Sequence, residues 1–230
     1  IDSTIININS LPIFDLGQDL SYCLNDSIEL SSPTDQNYTY FWSPNYSISN
    51  ITNYNPTIFS QTDTTYTLAL TDTLNCTNYD SIGVIINSLP LVNINAADSI
   101  CSGDSTLLTA SGSLLVTDYS WTPSSYVSND SIFNPMAIPV TNTYFYVTAT
   151  DVNNCSNADS VFINVLDLPL ANAGNDTAIC PGLTLQLNGS GGNIPEWYNA
   201  LTLSDSNIYN PIASPITITN YILKVTDDFG

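Results

Sequence analysis

The sequence predicts an all-β protein, a row of short-stranded sandwich modules set end to end. Three observations predict it. One cassette is written three times in 230 residues; each copy holds alternating β-branched and aromatic runs between turn residues; and no stretch sustains a helical period. Leu11-Pro12, Leu89-Pro90 and Leu168-Pro169 open the copies, which recur at a near-constant period. In each copy a leading Cys (Cys23, Cys101, Cys180) precedes a Trp (Trp42, Trp121, Trp197) and then an Asn-Pro pair ending at Pro56, Pro135 or Pro211. The interval from Trp to that Pro is identical in the three copies. So is the interval from Pro to an aromatic (Tyr66, Phe145, Tyr221), and from the aromatic to the Asp of a Thr-Asp pair (Asp72, Asp151, Asp227). Only the Cys-to-Trp interval varies, so the module has a rigid interior and one free loop.

In chain order, Asp2 through Pro12 aligns with Asp80 through Pro90 and with Asp159 through Pro169. Residues 1–10 therefore read as the last strand of a preceding module, with modules at 11–88, 89–167 and 168–230, the third lacking its final strand. This expects either a window on a longer array or a subunit whose spare strand completes its neighbour, as in donor-strand assembly. Ser27–Leu30 and Ser105–Leu108 are expected as an early strand after each leading Cys. Tyr66–Thr71, Phe145–Thr150 and Tyr221–Thr226 alternate as strands that end in Thr-Asp and a turn, followed by Ile82–Ile86 and Val161–Val165. The Asn-Pro pairs set turns or strand ends, because Pro lacks the ladder N–H, and Asp caps its own turn in Thr-Asp. Trp42, Trp121 and Trp197 are the expected core residues, packing against a disulfide. Several short strands, one buried Trp and one disulfide per module describe an immunoglobulin-like sandwich.

The charge excludes partners. Twenty-one acidic residues face one basic residue, Lys224, with no His, for a net charge of −20. Nucleic acid and anionic membranes need clustered Lys and Arg, so neither is a partner. No apolar run is long enough to span a bilayer and no signal peptide is present, so the chain reads as a mature exported segment. The five cysteines fit an oxidising compartment. Cys23 is expected to pair with Cys76 and Cys101 with Cys155, with Cys180 waiting for a Cys beyond residue 230. Loops of about 50 residues closed in this way stabilise by roughly 4 kcal/mol in the chain-entropy model. Zinc is disfavoured, since there is neither CxxC nor His.

Cys-x-x-Asp-Ser before a strand, Tyr119-Ser120-Trp121-Thr122-Pro123, Asn134-Pro135, and Tyr-x-Val-x-x-Thr-Asp-x-x-x-Cys resemble the PKD-like or immunoglobulin-like repeats of very large Bacteroidetes surface proteins. Those include gliding-motility adhesins and other substrates of the type IX secretion route. The resemblance covers essentially the whole chain and implies an extracellular, cell-surface stalk or filament. Trp197 departs from it, being followed by Tyr198-Asn199 where the other modules have Trp-x-Pro.

A Ser or Thr preceded by Asp and followed by a small aliphatic residue or Thr occurs at Ser3, Ser27, Thr64, Thr73, Ser81, Ser99, Ser105, Ser131, Ser160 and Thr177. The pattern is similar to the O-glycosylation motif of Bacteroidetes exported proteins. Asn-x-Ser/Thr sequons at Asn37 and Asn45 carry less weight in an Asn-rich chain. Calcium is the one cofactor left open, as an oxygen-bound bridge between acidic modules, although no DxDxDG spacing exists and metal ligands stay unknown. Two function classes follow. A stalk giving reach and rigidity has neighbouring modules or identical subunits as partners; a binding module would present exposed Tyr, of which the chain has 14, to surface glycans or a protein, through an aromatic patch that differs between copies. An enzyme is not expected, since no His, free thiol or paired carboxylates can be placed in one cleft.

Overall fold

The computed structural model describes residues 1–113 and 115–228. The chain is all-β, a tandem series of immunoglobulin-like sandwiches. In the first module β1 (Leu20–Cys23), β2 (Ile28–Glu29), β3 (Thr39–Ser43), β4 (Thr57–Ile58), β5 (Thr64–Thr71) and β6 (Thr77–Asn87) form one sheet in the order β1-β6-β5-β3 and a second from β2 and β4. Alternation makes β5 two-faced: Tyr66, Leu68 and Leu70 are fully buried while the residues between them look outward. The hairpin β5–β6 is antiparallel, and β1 runs parallel to β6 with Cys23 opposite Asn87.

The second module repeats the plan with β7 (Val92–Asn95), β8 (Ser99–Cys101), β9 (Thr106–Leu107), β10 (Thr109–Gly112), β11 (Val116–Thr122), β12 (Met136–Ala137), β13 (Thr143–Asp151) and β14 (Ser156–Leu166). Its main sheet is β8-β14-β13-β11, again with β8 parallel to β14, beside the pairs β9–β12 and β7–β10. In the third module β15 (Leu185–Gln186) pairs β17 (Ile212–Ala213), and β16 (Ile194–Tyr198) pairs β18 (Ile222–Thr226). Among the described residues no ladder joins strands of different modules. Residues 1–10 are exposed and carry no strand pairing.

Each tryptophan sits in the same place. Trp42, Trp121 and Trp197 are 0%, 1% and 3% exposed. Each donates its indole N–H to a loop carbonyl further along the chain, of Asn53 (2.9 Å), Ile132 (2.8 Å) and Ile208 (3.0 Å), so the large apolar ring is buried with its one polar atom satisfied. The buried clusters holding Trp42 and Trp121 contain no cysteine, which corrects the expectation of Trp packed on a disulfide. After the Trp, the Ser43–Pro44 and Thr122–Pro123 peptides are cis, whereas the third module uses Asn199 with φ 61°. Asn tolerates that left-handed turn where Tyr198-Asn199 replaces x-Pro.

Burial raises the pKa of two core tyrosines of the first module, Tyr22 and, more strongly, Tyr66. Tyr66 is fully buried and its hydroxyl donates toward the carbonyls of Tyr46 (3.2 Å) and Ser47 (3.3 Å). Burial, with smaller contributions from the charges of Tyr22 and Tyr46, pushes its pKa up to about 12. Folding therefore favours the neutral phenol. Its stabilisation is complete below the ordinary value of 10.0 and is lost as pH rises toward about 12. The unfolding midpoint of the first module should fall across that window, and Tyr66→Phe should flatten much of the fall. The second module, with Phe145 at this place, provides the internal control.

Candidate functional site at the module junction

The leading and hairpin cysteines do not meet within a module. β6 spans Thr77–Asn87, with Cys76 just before its start and Cys23 opposite its end, so the two stand roughly 33 Å apart. A disulfide requires α-carbons within about 7 Å. The same holds for Cys101, opposite Leu166 at the end of β14, and Cys155, just before its start. The expected pairs Cys23–Cys76 and Cys101–Cys155 are replaced by one bond between modules, Cys23–Cys155, with α-carbons 5.5 Å apart and a sequence separation of 132. Cys101 is buried, Cys76 half-buried and Cys180 exposed; the partner expected for Cys180 beyond residue 230 lies outside the described residues.

Local sequence builds both sides of this junction. On the hairpin side, Asp151 is 5% exposed and its Oδ1 accepts the N–H groups of Asn153 and Cys155, both at 2.9 Å, while Asn154 adopts φ 61°. This closes the turn and sets Cys155 at its edge. Asn157 holds the turn against the linker by donating to the carbonyl of Pro90 (3.0 Å). On the other side, Leu24 N–H bonds the carbonyl of Asn87 (2.8 Å) and Asp26 N–H that of Cys23 (2.9 Å), so Cys23 projects from the end of the sheet. β6 leads through Ser88-Leu89-Pro90 directly into the second module, so the disulfide is a second covalent connection beside the main chain.

A second candidate lies on the outer face of the second module. Tyr144, Tyr146 and Phe162 are about half exposed, and Tyr144 lies beside both of the others, with ring centroids 4.8 Å apart for Tyr144–Phe162 and 6.3 Å for Tyr144–Tyr146. The equivalent first-module positions are Thr65, Thr67 and Gly83, so the cluster belongs to one copy. Its signal in the sequence was the alternate-position spacing of Tyr144 and Tyr146 on a single strand.

The remaining expected sites are dispersed. Ser3, Ser27, Thr73, Ser81, Ser105, Ser131, Ser160 and Thr177 are exposed, while Thr64 and Ser99 are half-buried. At Ser81 and Ser160 the preceding Asp has structural work. Asp80 accepts the Leu16 N–H (2.8 Å) and Asp159 the Ile94 N–H (2.9 Å), pinning the leading segment to the sheet. Among the described residues no three His, Cys, Asp or Glu side chains gather as a metal site, and no helix is long and apolar enough to cross a membrane.

No family model matches the sequence, and no curated protein does. Among solved structures the chain is similar to the N-terminal eight Ig domains of Down Syndrome Cell Adhesion Molecule, at 11% identity and TM-score 0.42, covering 94% of this chain and 41% of that one. It is similar to a C-terminal fragment of intimin, solved with the intimin-binding domain of the translocated intimin receptor, at 11% identity and TM-score 0.42, covering 72% and 67%. A PKD domain of the KIAA 1837 protein shares 22% identity at TM-score 0.29, covering 36% and 92%. The chain thus spans about two fifths of the adhesion molecule's eight-domain fragment. At such identities the likeness concerns fold alone.

Proposed function

We propose that this chain is a structural segment of an extracellular, cell-surface adhesin stalk or filament, of the kind its repeats resemble in Bacteroidetes surface proteins exported by the type IX route. The observation that carries the reading is the Cys23–Cys155 bond, which fastens one module to the next. A second connection at a joint removes bending freedom, which serves reach and force transmission. The net charge of −20 keeps such molecules apart in solution and repels anionic surfaces. The module limits 11–88, 89–167 and 168–230, glycans on the exposed Asp-Ser and Asp-Thr sites, and calcium between acidic modules belong to the same proposal. Small-angle scattering of the oxidised chain tests it: three modules in line give a longest dimension of roughly 90 Å or more, and a radius of gyration well above the about 17 Å of a compact globule of this length. A radius matching that globule would sink the stalk reading.

The aromatic cluster favours a second reading, a glycan-binding face on the second module. Exposed rings offer flat surfaces on which the C–H face of a sugar stacks. A Tyr144→Ala, Tyr146→Ala double variant should lose retention on a glycan array while its unfolding transition stays within about 0.5 kcal/mol of the parent's. Absence of any glycan retained by the parent chain removes this reading.

A further inference from the structure

Phe41, Ala69 and Tyr79 stand abreast on the outer face of the first module's main sheet, on β3, β5 and β6. Phe41 and Tyr79 are 54% and 65% exposed, and the small Ala69 lies between them. Neighbouring strands run about 4.8 Å apart, so the two rings rise from positions roughly 10 Å apart with only a methyl group on the floor between them. That leaves room for one flat ring touching both walls, at about 4 Å on each side, and for no more. The fold does not require such a slot. The same register holds Ser120, Thr148 and Ala158 in the second module, and in the third Glu196 opposite Lys224, an exposed ion pair at 3.9 Å. Of these positions only those of the first module carry rings.

The surroundings of the slot are uniform. In the row on either side of it, every outward position of the three strands is Ser or Thr. Thr71 and Thr77 share a hydroxyl hydrogen bond of 2.8 Å on one side, and Thr67 and Ser81 one of 2.9 Å on the other, each row about 6.7 Å along the strands from the rings. A hydroxyl pair uses one of its two protons internally and keeps the other, with spare lone pairs, for a ligand. No charged side chain stands in the three rows, in a chain that carries −20. Asp72 and Asp80, which adjoin them in sequence, are turned to the backbone: Asp72 Oδ1 accepts the N–H groups of Leu74 (2.8 Å) and Cys76 (2.9 Å), and Asp80 Oδ2 that of Leu16 (2.8 Å).

We propose that this slot is a binding site for an uncharged saccharide, one pyranose standing on Ala69 with its C–H faces against Phe41 and Tyr79 and its rim hydroxyls toward the Thr71–Thr77 and Thr67–Ser81 pairs. A pyranose is apolar on its faces and polar round its edge, which is the order in which the slot sets its rings and its hydroxyls. Charge selects within the class. A sulfated or carboxylated sugar is repelled by the chain's −20 and finds no cation, the single basic residue Lys224 lying in the third module. The inference goes beyond the second-module face, with which it shares a class of ligand but no residue.

The test titrates the 230-residue chain, free of glycans, with glucose, mannose and galactose tetramers and with their sulfated forms, each to millimolar concentration, and follows the Ala69 methyl resonance. At least one neutral tetramer should shift that resonance saturably, and its sulfated form should bind at least about tenfold more weakly. Phe41→Ala and Tyr79→Ala should each weaken binding about three- to tenfold. Ala69→Leu, which fills the slot and keeps both rings, should abolish it. The Tyr144→Ala, Tyr146→Ala variant should bind at Ala69 as the parent does, so that failure of the second-module face and failure of this one are read separately. Core methyl resonances that stay in place show that each variant remains folded. A methyl that no neutral tetramer shifts, binding that survives Ala69→Leu, or a sulfated form that binds as well as its neutral parent would each overturn the proposal. Concentration-dependent self-association that Phe41→Ala removes would overturn it too, in favour of an interface between copies.

Discussion

Pulled from its two ends, the oxidised chain should lengthen by about 450 Å less than the reduced one on complete unfolding. The Cys23–Cys155 bond has a sequence separation of 132, and each extended residue contributes about 3.4 Å, so everything between the two cysteines is shielded from tension while the bond holds. The shielded segment covers most of both modules, and force passes from the end of β1 to the β13–β14 hairpin. Single-molecule extension with and without reductant reads the difference directly. A shortfall smaller by about a fifth, and split between two separate loops, would restore the within-module pairs. No shortfall would mean that the bond does not form. At equilibrium, closing a loop of this size contributes about 5 kcal/mol in the chain-entropy model, so reduction should also lower the unfolding transitions.

Trp121→Ala should cost about 3–5 kcal/mol, enough to remove most of the stability of a module this size. The ring is 1% exposed in the cluster formed with Phe145, Val147 and Ile163, and its N–H satisfies the carbonyl of Ile132. Truncation leaves a cavity among side chains of β11, β13 and β14 and strips a buried carbonyl of its donor, which adds about 1 kcal/mol. Denaturant titration should show the second module's transition displaced to low denaturant while the first module's stays in place. A loss under about 1 kcal/mol, the size of an ordinary substitution, would mean the ring is not a core element.

Much of this fold was legible in residue spacing. The alternation of Tyr66–Thr71 and Phe145–Thr150 maps onto β5 and β13, and the invariant step from Trp to Asn-Pro places the same indole against the same loop carbonyl three times. The cysteine partners were not legible, for a definite reason. In a repeat, the interval from leading to hairpin cysteine is as constant within a module as between modules, so spacing favours neither. Strand direction decides it: β1 lies parallel to β6, which carries Cys23 to the end of the sheet away from Cys76. That pairing depends on contacts between residues distant in the chain, Leu20 with Val84, which no local pattern encodes. The aromatic face depends likewise on a cross-strand partner, Phe162 opposite Tyr144.

In the first two modules the leading and hairpin cysteines lie at opposite ends of the main sheet, so the Cys23–Cys155 joint is one-way. A second module turned end for end would bring Cys101 toward Cys23 in place of Cys155, and so would present the wrong turn to it. The joined pair of modules consequently has a direction, as an arrow does. Because the buried clusters around Trp42 and Trp121 contain no cysteine, reducing the joint removes a crosslink and leaves the packing inside each cluster in place.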